Sequence, residues 1–321
     1  MTILKLGSSG PDVQALQQKL KDVGFDPNGV DGRFGPGTEA AVRAFQQANA
    51  LTIDGKVGPQ TNAALQATTG DGGASGGSSD NGGAQKQKVL WVVNYNSLGQ
   101  FLQRAQAAKV TAVAIRTDNH VDQALQPFHD AGMQVYGWRW PSAQPDGAMI
   151  EAHRAAALLA QGLDGYFVDP EGQPGKPFDW DRPGLQDLAT QFCTTIKSAA
   201  PGKPLGVTSH YRARQIFPNL PWAAFFAQAD ILLPQAYWRV AQGPVHHADP
   251  VENYRDSIQA WVQAGGTRAK IQPMAGELVH VHGNEVKAYA QEASNQGVAT
   301  LHFYTDEPGI ADEVWGAVAQ A

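Results

Sequence analysis

The chain has 321 residues, enough for about two domains and a large core. With 42% apolar and 17% charged residues, a net charge of −6 and an isoelectric point near 5.8, its composition is that of an ordinary globular protein. That balance excludes a general nucleic-acid binder and electrostatic attachment to anionic membranes. No run approaches the roughly 18 apolar residues of a membrane-spanning helix, so no membrane insertion is expected.

The first 69 residues contain an internal repeat. Gly29-Val30-Asp31-Gly32-Arg33-Phe34-Gly35-Pro36-Gly37-Thr38 aligns with Thr52-Ile53-Asp54-Gly55-Lys56-Val57-Gly58-Pro59-Gln60-Thr61 at an offset of 23 positions. Each Asp-Gly pair marks a tight turn, and each Gly-Pro-x-Thr starts a helix directly afterwards. Amphipathic stretches carrying Val13, Leu16 and Leu20, then Ala41, Val42 and Phe45, then Leu65, predict a small all-α three-helix domain over 1–69. Residues 70–87 hold almost nothing that can be buried. They read as a flexible Gly/Ser linker with a root-mean-square span of roughly 20–25 Å if fully disordered. Such a tether suits a module that keeps its neighbour close to an insoluble polymer.

From residue 88 to 321 the chain repeats an apolar strand, a polar turn and an amphipathic helix. Strands are expected at 89–96, 111–118, 134–140, 165–171, 204–211, 230–238, 270–277 and 298–306. Helices are expected at 98–108, 121–131, 148–161, 185–199, 250–264 and 284–295, with a last one starting near Pro308-Gly309 and running to about residue 319. Eight such units predict an α/β fold, a parallel (β/α)8 TIM-type barrel. An open doubly wound sheet is the alternative, but no Gly-x-Gly-x-x-Gly follows the first strand. Cys193, the one cysteine, sits among Leu188, Phe192 and Ile196 in a helical pattern and reads as a buried apolar residue, with no intrachain disulfide possible.

In such a barrel, reacting groups collect at the strand C-terminal ends. Residues 163–171 read Leu-Asp-Gly-Tyr-Phe-Val-Asp-Pro-Glu. Alternation puts Asp169 and Glu171 on one face of a strand end, with Phe167 below them. Two acids so placed are the minimal equipment for glycosidic bond cleavage, one held protonated and the other ionised. The other strand ends carry Asn94, Arg116, Asp118, Trp138, Trp140, Tyr211, Gln235, Tyr237, Glu277, Tyr304 and Asp306. Aromatics among carboxylates suit a carbohydrate, whose ring faces are apolar and whose hydroxyls need partners, so these are the candidate substrate-binding residues.

The N-terminal pattern closely resembles the peptidoglycan-binding domain of bacterial wall hydrolases. It is carried by Asp12-Val13, Leu16-Gln17, Leu20, Gly24-Phe25, Val30-Asp31-Gly32, Phe34-Gly35, Thr38, Ala41-Val42 and Phe45-Gln46, with the second Asp54-Gly55, Val57-Gly58 and Thr61. Asp31 and Asp54 are its candidate ligand contacts. The strand-four Asp-x-Glu, Gln235-Ala236-Tyr237-Trp238 and the barrel order resemble glycoside hydrolase family 25, the barrel lysozymes, with similarity also to the family 18 chitinase group. That resemblance implies Glu171 as acid/base, with Asp169 orienting the substrate N-acetyl group or acting at the anomeric centre. Two departures stand out. Asn94 occupies the place of the usual strand-one aspartate, for which Asp118 or Asp306 could substitute, and Phe167 stands where family 18 has a further acid.

The expectation is therefore a monomeric muramidase without cofactor or metal, acting on bacterial peptidoglycan in the wall or periplasm. The opening ten residues are too short and polar for a secretory segment, so the expectation is either cytoplasmic synthesis with release by a holin or a secretion system, as for a phage endolysin or antibacterial effector, or a signal that has been removed. The alternatives are a non-catalytic wall-binding barrel and a chitinase-type N-acetylglucosaminidase. A zinc amidase would need ligands such as His246-His247 and His280-Val281-His282, yet no His-Glu-x-x-His helix exists.

Overall fold

Two buried glutamines organise the N-terminal part of the computed structural model, which describes residues 3–49, 51–58, 60–62, 64–65, 86–240 and 248–321. Helices α1 (Pro11–Asp22) and α2 (Pro36–Ala48) both begin on proline, whose missing N–H costs nothing in a first turn. Residues 60–62 and 64–65 are helical as well. Val13, Leu16, Leu20, Phe25, Phe34, Val42, Phe45, Val57 and Leu65 form one core, with Phe25 edge-on to Phe45 at 5.4 Å between ring centres.

The sequence repeat reappears as a repeated hydrogen-bond network. Gln17 Nε2 lies 2.9 Å from Asp31 Oδ1, 2.9 Å from the Arg33 carbonyl and 3.0 Å from Thr38 Oγ1, while its Oε1 accepts from the Gly32 N–H at 2.7 Å. Gln46 does the same with Asp54, Lys56, Thr61 and Gly55 at 2.8, 2.9, 3.1 and 2.9 Å. Asp31 and Asp54 thus face into their own turns. The Gln17 amide holds the Asp31 carboxyl below its ordinary value, and the Lys56 backbone N–H, followed by Gln46, does so for Asp54.

The large part is a parallel eight-stranded barrel. Its strands are β1 (Gln87–Val92), β2 (Ala112–Arg116), β3 (Gln134–Arg139), β4 (Gly165–Val168), β5 (Leu205–His210), β6 (Ile231–Gln235), β7 (Met274–Ala275) and β8 (Thr300–Phe303). They pair in the order β6-β5-β4-β3-β2-β1-β8-β7, and a parallel bridge from Leu232 of β6 to Ile271, just before β7, closes the ring. Alternation divides each strand between two cores. Val89, Trp91, Ala112, Ala114, Tyr136, Trp138, Phe167, Leu233 and Met274 fill the interior. Leu90, Val92, Val113, Ile115, Val135, Tyr166 and Val168 point out beneath the helices. Gly206 makes room for the interior, since a Cβ there would collide with the Phe167 ring.

The surrounding helices are α3 (Leu98–Ala107), α4 (Val121–Asp130), α5 (Pro145–Gln161), α6 (Gln186–Ala199), α7 (Trp222–Gln228), α8 (Pro250–Gln263), α9 (Gly283–Asn295) and α10 (Asp312–Gln320). The strands stop one to four residues short of their sequence-based ends. The last helix begins at Asp312, later than Pro308-Gly309, and α7 is an addition whose Trp222, Phe225 and Phe226 are buried. Cys193 is buried on α6, where burial pushes its thiol up to about 12. The linker through residue 85, and His246 and His247, lie outside the described residues.

The helical module rests on α8 and the turn before β8. Val262 packs against the module's core, and Gln296 Nε2 donates to the Asp22 carbonyl at the end of α1. Beside this contact runs a groove of about 540 Å³ between Phe25, Ala41 and Gln47 on the module and Gln259, Gln263 and Thr267 on the barrel.

Candidate active site

β4 ends at Val168, so Asp169, Pro170 and Glu171 belong to the loop that follows it. That loop is nonetheless tightly held. Ser209 Oγ donates to the Pro170 carbonyl at 2.7 Å, the Asp169 N–H to the Arg139 carbonyl at 2.9 Å, and the Trp180 N–H to the Glu171 carbonyl at 2.8 Å. Glu171 also forms a parallel bridge to Asp179, whose Oδ1 accepts from the Gln173 N–H at 3.1 Å. An extended, pinned segment keeps the alternation of a strand beyond the sheet, and both acids reach one partner as expected. Gln235, at the end of β6, donates from Nε2 to Asp169 Oδ1 at 2.9 Å and also hydrogen-bonds Glu171.

Asp169 is 4% exposed. Burial, reinforced by the charge of Glu171, raises its carboxyl well above the usual range, against hydrogen bonds from Trp140 and Gln235. Burial likewise raises Glu171, against hydrogen bonds from Gln235 and Gln173. A buried and a half-buried carboxyl that repel each other's charge retain a proton between them at pH values where ordinary carboxylates are ionised. The pair can therefore offer a proton and a negative charge from one place, which is the requirement of acid–base chemistry at a glycosidic oxygen.

Around the pair, Tyr237 and Tyr304 stack at 5.2 Å between ring centres with 13° between planes. Burial raises both phenols, which also feel Asp169, Glu171 and Glu277. Glu277 thus belongs to the same field, and its carboxylate lies 3.4 Å from His280 Nε2. On the other side, Arg116 sits over the Trp140 ring at 5.7 Å and bonds Asp118 at 2.6 Å and Asn94 at 3.2 Å. Arg139 takes the other Asp118 oxygen. Burial would raise the Asp118 carboxyl, but hydrogen bonds from Arg139 and Arg116 outweigh it and hold the group below its ordinary value.

Three rim candidates are placed elsewhere. Trp138 is 1% exposed inside the barrel, its indole N–H on the Val92 carbonyl, because alternation from Trp140 turns it inward one layer lower. Asp306 is buried in a two-pronged ion pair with Arg104 of α3, at 2.7 and 2.6 Å, so it is a strut between helix and barrel and does not stand in for a strand-one acid. Tyr211 is buried and stacked on His210 at 4.8 Å. Gln173 and Arg139 take part without having been singled out, and Ser209, a strand-end residue of β5, takes part by holding the loop. The period of two that selected Asp169 and Glu171 reaches Gln173 at its next step, whereas Arg139, the last residue of β3, acts through its backbone carbonyl, which no side-chain pattern reveals. Among the described residues, no three His, Cys, Asp or Glu side chains gather as a metal site; His280 and His282 instead approach Glu277 and Glu313.

Residues 9–65 match the family described as "Putative peptidoglycan binding domain". Joined to a closed barrel with an acid pair at its mouth, that module defines a modular peptidoglycan hydrolase. The spore cortex-lytic enzyme of Bacillus cereus is 37% identical over 224 residues, an alignment spanning 60% of this chain and 86% of that enzyme. The chain belongs to the family of that spore cortex-lytic enzyme. Among solved structures, the spore cortex-lytic enzyme SleL of Bacillus cereus shares the fold, with a TM-score of 0.54 and 11% identity over 87% of this chain and 84% of that one. The SleB N-terminal domain is 44% identical over 20% of this chain and 88% of its own, with a TM-score of 0.20.

Proposed function

We propose that this cell-wall hydrolase is a glycosidase of the muramidase type, cutting between N-acetylmuramic acid and N-acetylglucosamine in bacterial peptidoglycan. The observation that carries the reading is the pair of buried Asp169 and half-buried Glu171 joined through Gln235. Glu171 donates its proton to the leaving glycosidic oxygen. Asp169 accepts from the substrate's N-acetyl N–H, so that the acetyl oxygen attacks the anomeric carbon as the glycosidic bond breaks. Water then opens the cyclic intermediate, losing its proton to Glu171. Tyr237, Tyr304 and Trp140 offer ring faces and polar edges to the sugars. Domain limits of 1–69, 70–87 and 88–321 accord with this division of labour, the module holding the wall while the barrel cuts. Action in the wall or periplasm, as an endolysin or antibacterial effector, is part of the same proposal.

A second reading, cleavage that leaves reducing N-acetylglucosamine as in chitinases, draws on the same pair, and Asn94 is where the chain departs from the barrel lysozymes it resembles. Its Oδ1 is engaged by Arg116, which leaves acid–base chemistry to the strand-four pair alone. Digestion of purified peptidoglycan by the wild-type protein and by Glu171→Gln, followed by mass spectrometry of the reducing ends, separates the two. Muropeptides with reducing N-acetylmuramic acid are expected, and kcat/KM should fall about 10²–10⁴-fold in the variant. Reducing N-acetylglucosamine would select the second reading. Free stem peptides, or no products from either protein, would overturn both.

A further inference from the structure

Asn94 and Arg116 stand apart from the acid pair yet reach it through an unbroken chain of contacts. The guanidinium carbon of Arg116, at the end of β2, lies 5.7 Å from the centre of the Trp140 indole. Arg116 Nε donates to Asp118 Oδ1 at 2.6 Å and Nη2 to Asn94 Oδ1 at 3.2 Å, so two edges of the guanidinium are held from the ends of two neighbouring strands. Trp138 closes on the same indole edge-on at 5.2 Å. Trp140 reaches Asp169 as well: the Asp169 N–H is held by the carbonyl of the preceding Arg139 at 2.9 Å, and a hydrogen bond from the Trp140 side chain, like the one from Gln235 at 2.9 Å, favours the Asp169 carboxylate.

We propose that Arg116 is a positioning residue for the reaction assigned above, fixing Trp140 so that its N–H stays on Asp169. Asn94, in the place where an acid is expected by resemblance, is the acceptor that orients Arg116 and not a reacting group. A planar guanidinium gripped along two edges and stacked on an aromatic face has a defined orientation that a lysine ammonium would not provide. Charge explains why the acceptor is an amide. Asp118 already balances Arg116, so an amide oxygen adds a hydrogen bond without adding a second negative charge next to a pair that must keep its proton. The charged and titratable groups around this system are Arg116, Asp118, Arg139 and Glu151 on the β2–β3 side, with Glu171, Tyr237, Glu277 and Tyr304 on the others.

The proposal rests on the carboxylate-pair reading, so its test watches Trp140 directly. In the full-length, ¹⁵N-labelled protein the Trp140 indole resonance is identified by its disappearance in Trp140→Phe and followed through a pH titration. In the wild type it should move as the acid pair titrates. In Arg116→Leu and in Asn94→Leu that pH response should shrink by at least about half, with about tenfold faster exchange of the indole proton, the scale of one lost hydrogen bond. Asn94→Asp, which keeps an acceptor but adds a charge, should retain slow indole exchange while its Trp140 response moves to higher pH. For Arg116→Leu, kcat should fall about tenfold while KM changes less than about threefold. An unchanged Trp140 response in both leucine variants, or a rise in KM alone, would overturn the proposal. Full hydrolysis by Glu171→Gln would instead sink the assignment of the acid, leaving the Trp140 result to stand or fall by itself.

Discussion

Asp169 accepts hydrogen bonds from two sides while facing the carboxyl of Glu171, so its environment both orients and destabilises its charge. Both acids hold their protons more tightly in the folded chain than at their ordinary values of 3.8 and 4.5. Above pH 4 the folded state therefore binds more protons than the unfolded one, and stability falls as pH rises until the folded pair is fully ionised. Asp169→Asn keeps an acceptor for Gln235 and Trp140 but removes the charge. Thermal unfolding should show it more stable than the wild type at pH 7, with the gap closing towards pH 4, while hydrolysis is lost; a gap that widens on acidification would contradict the assigned environment. These two acids were legible because a period of two survives in a pinned loop. Trp140 was legible as a rim aromatic, but its bond to Asp169 was not, since it depends on how β3 and β4 lie side by side. Trp138 and Asp306 show the reverse error. A residue type suited to sugar binding also suits an interior layer or an ion pair, and only burial separates the two.

Elements ended earlier than their patterns suggested because extended backbone continues past the last ladder hydrogen bond. β7, with two residues, is the extreme case, its role in closing the ring shared with Ile271. Asp306 acts at this scale. Its side chain is fully buried and grips Arg104, tying α3 to the segment after β8. Asp306→Ala should cost about 2–4 kcal/mol in denaturant unfolding of the barrel, because it breaks a largely buried charged contact. In the helical module the corresponding fasteners are Gln17 and Gln46, each satisfying turn groups that the short bridges to residues 4–10 leave over. Gln46→Leu leaves the Gly55 N–H and the Lys56 carbonyl without that partner, and should destabilise the module by about 2–3 kcal/mol in chemical denaturation while the barrel transition stays in place. The 23-residue repeat announced two equivalent turns, but the glutamines that serve them are 29 positions apart and so escaped it. Helix α7 escaped because seven residues with three buried aromatics are too few to establish a helical period.

For the whole molecule, the position of the module follows from the chain direction. Val262 and Gln296 lie just before β7 and β8, at the end of the barrel where strands begin, whereas Asp169 and Glu171 follow the end of β4. Val262→Asp places a charge against the module's core and should release the module. Small-angle scattering should then show a radius of gyration larger by a few ångströms, with the barrel's near-ultraviolet circular dichroism unchanged; an identical scattering curve would refute the docked arrangement. The floor and mouth of the barrel are separated by about 20–30 Å, the length of its strands and loops. The docked module and the acid pair therefore lie at opposite ends of the barrel, so on the proposed reading severing a glycan need not loosen the anchor. On the proposed reading, an enzyme so built could make several cuts from one foothold on the wall before its anchor has to move.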